Sequence, residues 1–195
     1  MAIKVVAAPK EALKLLQTGI DQHLVAGFVD AGLSAVTGLA SPHRIFHLGL
    51  DALVGEKPIA KAAKHVGWSA QLLDRGKRGV AAAELAVTRS GLRFACVTRG
   101  PHAAGASDAE AVAQRWSKRA GKLDHELALL RIPGAYCTAL WLRATDVDAD
   151  TFIPIAPCPP GLEPNKTYTE HELRAVLIPE ARKQLEAPDP DGTKR

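Results

Sequence analysis

SPHRIFHLGLDALVGEKPIAKAAKHVGWSAQLL, residues 41–73, is the stretch on which the fold turns. Ser41-Pro42 has the form of a helix start: a capping serine, then proline at the first helical position, where its missing N–H costs nothing. That helix is expected to run to about Val54, with Gly55 as its stop. Another is expected from about Pro58 to Leu73, ending at the basic turn DRGKRG, residues 74–79.

Upstream, Pro9 suits a first helical turn, and Leu13, Leu16, Ile20 and Leu24 recur at spacings of three or four, an amphipathic stripe. The segment then becomes apolar nearly all round: LVAGFVDAGLSAVTGLA, residues 24–40, carries Asp30 as its single charge. As a helix it would span roughly 25 Å, short of a ~30 Å hydrocarbon core, so no transmembrane span is expected. Gly27, Ala31 and Ala35 form a small-residue row where a second backbone, from this chain or another copy, could come close.

Downstream the period changes. AAAELAVTR and LRFACVTR tend to alternate, with Ser90-Gly91 between them as a hairpin turn. HELALLRI and AYCTALWLR read as two more strands around Pro133-Gly134. TFIPI is a fifth, and Pro154 confines it to an edge. Thr169 opens a last helix with a capping box to Glu172 and a Tyr168/Leu173 staple.

The expected fold is therefore α+β: about three N-terminal helices, then a mostly antiparallel sheet of about five strands with two further helices. It is read as a single domain over 1–186, with a helical layer about 9–74, a sheet-rich part about 79–156 and the C-terminal helix from 169. Residues 187–195 are expected to be a disordered tail.

Composition sets the class. With 47% hydrophobic and 24% charged residues, the chain reads as an ordinary globular domain, long enough to bury a core without staples. Cys96, Cys137 and Cys158 are odd in number and widely spaced, which argues against a disulfide framework or a structural zinc site. The N-terminus lacks the order of a signal peptide, so a cytoplasmic location is expected. The net charge of +4 comes from the middle of the chain, where nine Lys/Arg against Asp74 and Glu84 leave +7 over residues 57–99.

Several stretches approach a known chemistry. Gly100, Gly105 and Ser107 fit the phosphate-loop pattern, but Ala106 stands where the lysine belongs. Ser107 with Glu110 reads instead as a capping box that would satisfy the exposed N–H groups. His43 and His47, at i and i+4 of the expected helix, are weak candidates for a shared metal; the position of a catalytic glutamate holds Arg44. Asp51 cannot join them on one ion, because eight helical residues span roughly 12 Å. Cys137 would be a nucleophile only if His125 on the neighbouring strand faced it.

Lys57, Lys61 and Lys64, with Arg75, Lys77 and Arg78, make a weak polyanion-binding cluster, and Arg115, Lys118, Arg119 and Lys122 a smaller one. Nine aromatics in the chain, with Trp68 alone near the patch, give little for stacking on bases. No constellation is complete. The reading is an interaction or assembly module, not an enzyme, with no cofactor and a protein partner, a second copy among the candidates. The alternatives are a nucleic-acid or polyanion binder using 57–99, or a metal- or cysteine-dependent hydrolase.

Overall fold

The computed structural model describes residues 3–4, 6–25, 36–40, 42–119, 125–144 and 149–187. Among them one sheet organises everything. Its strands are β1 (Ile3–Lys4), β2 (Gly38–Leu39), β3 (His43–His47), β4 (Lys64–Leu73), β5 (Gly79–Thr88), β6 (Gly91–Arg99), β7 (His125–Ile132), β8 (Cys137–Ala144), β9 (Thr151–Pro154) and β10 (Tyr168–Thr169). The helices are α1 (Lys10–Val25), α2 (Leu50–Val54), α3 (Ile59–Ala62), α4 (Pro101–Arg119) and α5 (Glu170–Glu186).

The main path runs β10-β9-β8-β7-β3-β4-β5-β6, with β1 beside β7 and β2 beside β4. The β3–β7 and β1–β7 pairs are parallel and all others antiparallel. The parallel β3–β7 pair sits at the centre and joins two antiparallel halves.

This overturns the expected trio of N-terminal helices, and the strand count is twice the expected five; the protein is nevertheless α+β. His43–His47 is a strand, and the residues read as a third helix are the single turn of α3 followed by the ten-residue strand β4. The reason is burial on both sides. Gly67 to Leu72 are all buried, because α1 covers Trp68, Ala70 and Leu72 on one face while α4 meets Gln71 on the other. A strand covered on two faces loses its polar alternation and reads as a continuous apolar run. Pro42 leads into β3 and begins no helix.

Gly67 records how tightly this centre is woven. A Cβ there would lie 2.0 Å from the carbonyl oxygen of Leu85 on β5, so no larger residue fits at the bulge between β3 and β4.

The register sets the layers. Arg44 pairs with Trp68 and Ala128, so these three share one face, together with Phe46 opposite Leu130. On that face α1 buries Ala12, Leu16 and Ile20 against Trp68, Ala70, Leu72 and the β5 residues Ala81, Ala83 and Leu85. Beside it, α5, α2 and α3 cover Phe46, Ala128, Leu130, Trp141 and Phe152. The opposite face carries α4, which lays Ala109 and Ala113 on Ile45, Leu127, Leu129, Leu140 and Ile153. The α1 stripe is thus real in Leu16 and Ile20, while Leu13 is exposed.

Other local signals hold. Thr169 and Glu172 make the reciprocal capping box, and Tyr168 and Leu173 share a core. The β5–β6 turn falls one residue earlier than read, on Arg89-Ser90, because Thr88 pairs with Gly91. β9 is not the edge strand expected from Pro154, because β10 pairs with its Thr151 and Phe152; Pro154 itself lies past the end of β10 and pairs only with Ala139. The row Gly27, Ala31 and Ala35 lies outside the described residues, as do Lys122 and the tail beyond Ala187. The C-terminal end of the expected 24–40 helix is instead β2, paired with Leu72 and Leu73.

Candidate functional site: a polar cavity beneath the first turns of α4

The near phosphate loop is not a loop. Gly100, with φ of +99°, turns the chain out of β6, and α4 begins at Pro101. Gly105 and Ser107 therefore lie inside the helix, where backbone N–H groups are spent on the preceding turn and none is left to cradle phosphate. The capping box read at Ser107 is overturned for the same reason. Its hydroxyl accepts from the Gly79 N–H at 2.9 Å and donates to Gln71 Oε1 at 2.8 Å, tying α4 to the sheet.

Gly105 has a packing role. A Cβ there would meet the Ala156 carbonyl oxygen at 2.8 Å, so the helix can approach the end of β9 only because the side chain is absent. Gly105→Ala should therefore destabilise by about 1–3 kcal/mol through overpacking, even though alanine is worth about 1 kcal/mol more than glycine in an unencumbered helix. Urea unfolding decides between the two signs; a stabilised variant would show that the helix does not sit so close.

Small residues on α4 leave space beneath it. Ala103 and Ala106 roof a cavity of about 270 Å³ whose floor is the sheet: His43 from β3, Ser69 and Gln71 from β4, Ala82 and Glu84 from β5, Arg131 from β7 and Thr138 from β8. His102 in the first turn of α4 also lines it. The alternation of each strand puts these residues on one face: Ser69 pairs with both His43 and Glu84, and Arg131 with Thr138. His43, Ser69, Gln71 and Glu84 are all buried. Four buried polar side chains converging on one hollow are costly unless they are bonded.

Most are bonded, in an order that defines their polarity. Since Ser107 donates to Gln71 Oε1, the amide nitrogen of Gln71 is turned to Glu110 and donates to its Oε1 at 3.0 Å. The same Glu110 oxygen lies 3.4 Å from His43 Nε2. Burial pulls the His43 imidazole down to about 4 and pushes the Glu110 carboxyl up to about 7. At neutral pH His43 is therefore uncharged. Its Nδ1 is buried and has no hydrogen-bond partner among the described residues.

The charges in the cavity are internally balanced. Arg131 donates through both terminal nitrogens to the two carboxylate oxygens of Glu84, the Nη1–Oε2 bond at 2.9 Å. This fork-to-fork pairing is the strongest geometry available to arginine. Beside it, burial lowers the His47 pKa, with the Arg131 charge acting in the same direction.

The residues singled out from the sequence are scattered. His43 and His47 lie four residues apart on a strand, about 13 Å along its axis, too far to share an ion. Among the described residues no group of three or more His, Cys, Asp and Glu could hold a metal. Cys137 faces the α5 core, where burial raises its thiol to about 12. His125 stands at the other end of the ladder, paired with Ala144 while Cys137 pairs with Ile132, so the two cannot meet.

The basic cluster is divided too. Lys57 precedes α3, Lys61 lies in it and Lys64 begins β4, while Arg75, Lys77 and Arg78 follow the other end of β4, about 30 Å from Lys64. Trp68 between them is buried under α1 and offers no stacking face.

The cavity itself was missed, apart from His43. A signal existed: Glu84 in AAAELAV and Arg131 in LALLRI are each flanked by apolar residues of a strand, where an unpaired ion would be prohibitive. That each answers the other could not be read, because 47 residues separate them. Comparison with known protein families, curated proteins and solved structures found no match.

Proposed function

We propose that this protein binds a small, uncharged polar molecule in the cavity beneath α4. The observation that carries the reading is the convergence of His43, Ser69, Gln71 and Glu84, all buried, on one hollow, with His43 Nδ1 left without a partner among the described residues. A buried polar atom without a partner costs about 1–3 kcal/mol, so such a wall is a poor way to fill a core. At about 270 Å³ the cavity suits a compact molecule, just below the usual range of ligand pockets.

Charge balance argues for a neutral one. An anion would have to displace Glu84 from Arg131, and a cation would face the guanidinium. The protein partner expected from the sequence is replaced because the built feature is a cavity. Cys96 is exposed and, like Cys137 and Cys158, in no disulfide, which supports a reducing, cytoplasmic setting within the same proposal. No helix among the described residues is long and apolar enough to cross a membrane.

The test is an amide NMR titration with acetamide, glycerol and inositol. At least one compound should shift Ser69, Gln71, Gly79 and Ser107 saturably, and Ala106→Leu, which fills the cavity, should abolish the shifts while leaving the fold intact. Binding that survives Ala106→Leu, or shifts confined to other surfaces, would overturn the reading.

A further inference from the structure

A second, more open concavity of about 420 Å³ adjoins the cavity and shares His102, Arg131 and Thr138 with it. Its remaining wall is Pro133, Tyr136, Cys137, Pro157, Cys158 and Pro159. Proline rings have no side-chain freedom to lose, so this surface is the same before and after something lies on it.

Tyr136 is the odd residue. It stands in the turn between β7 and β8 with φ of +49°, in the left-handed region, which a bulky side chain adopts at a cost and glycine does not. The fold draws little from the ring in return: Tyr136 is 81% exposed, and its hydroxyl has no hydrogen bond among the described residues. A strained residue that presents an aromatic ring to solvent in the wall of an open concavity is the pattern of a ligand contact.

We infer that the ligand is bipartite: its polar head enters the cavity, and a flat apolar or aromatic tail lies on the shelf made by Tyr136 with Pro133, Pro157 and Pro159. The occupant follows from continuity. The shelf and the cavity share three lining residues, His102, Arg131 and Thr138, and Arg131, the one charged residue on the shelf among the described residues, is already paired with Glu84. The inference rests on the small-molecule reading above and names the class of molecule.

The probes are acetamide, a head alone, and N-benzylacetamide, the same head with an aryl tail. In amide NMR titrations N-benzylacetamide should bind about tenfold tighter and should shift Ser69, Gln71 and Ser107 together with Tyr136, Cys137 and Thr138. Tyr136→Gly should bring the two probes within twofold of each other. Because it relieves the backbone, it should also raise the melting temperature by about 2 °C.

N-benzylacetamide shifting the cavity amides alone would overturn the shelf and leave the cavity reading standing. Shelf shifts without cavity shifts would do the reverse, removing the shared ligand. No shift in either set counts against both. A Tyr136→Gly protein that melts lower would show that the ring belongs to the fold and would remove the argument for a ligand contact.

Discussion

Trp141→Ala is expected to destabilise the protein by about 3–5 kcal/mol, as for other fully buried tryptophans. Trp141 is 0% exposed in the middle of β8 and stacks on Phe152, with ring centroids 5.6 Å apart, while Phe46 meets it edge-on at 5.3 Å. The Arg143 guanidinium lies 4.7 Å from its ring centre. Its indole N–H donates to Asp150 Oδ2 at 2.9 Å, and the other oxygen of Asp150 accepts from the Ala144 N–H at 2.8 Å.

Truncation thus opens a hole in the core under α5 and strips the Asp150 carboxylate of one of its two donors among the described residues. Against a total stability of about 5–15 kcal/mol, the variant should be close to unfolding at physiological temperature. Trp141→Phe keeps the stack, loses the N–H and should cost roughly half as much. Urea denaturation of the three proteins checks the order, and a loss below about 1 kcal/mol for the alanine variant would refute the packing described.

The second large effect is a pair of opposite pH dependences from His43 and Glu110. His43, held down at about 4 against 6.5 in the unfolded chain, binds fewer protons when native across that window. Its contribution to stability therefore rises with pH and is fully present above 6.5. Glu110, raised to about 7 against 4.5, binds more protons when native. Its contribution is fully present below 4.5 and is lost as pH rises through 7.

Between pH 4.5 and 6.5 the pair therefore carries one proton in both states, on the histidine when unfolded and on the carboxyl when folded, and the two slopes cancel. Single substitutions expose them. Relative to wild type, Glu110→Gln should gain about 2–3 kcal/mol of stability between pH 4.5 and 7, and His43→Gln should lose about 3 kcal/mol between pH 4 and 6.5. Unfolding free energies at four pH values measure both. Parallel curves for the three proteins would show that neither group is buried as described.

Where sequence and structure part company, the reason is which neighbours were within reach along the chain. The capping box at Thr169, the hairpin at Pro133-Gly134 and the α1 stripe of Leu16 and Ile20 depend on groups a few residues apart, and all were legible. Residues 43–47 and 64–73 were not. In β4 the spacing of Trp68 and Leu72 fits a helix stripe as well as the alternation of Trp68, Ala70 and Leu72 fits a strand. What decides between them is the edges of β3 and β5, which hydrogen-bond to β4, and the helices that bury both of its faces. A sheet built from distant segments overrides local helix signals such as Ser41-Pro42, because only pairing satisfies a buried strand's backbone.

The cavity follows the same division. Its members were visible one by one as polar residues in apolar strands, and His43 was singled out. Their convergence depends on six strands and a helix brought together across 113 residues, from His43 to Ile155. By itself, then, the sequence determined the α+β character, the turns and caps, and the presence of charges, flanked by apolar residues, that need partners. Tertiary structure alone decided which strands pair, which charge answers which, and where small residues on α4 leave room, because burial and hydrogen-bond satisfaction are properties of the assembled layers.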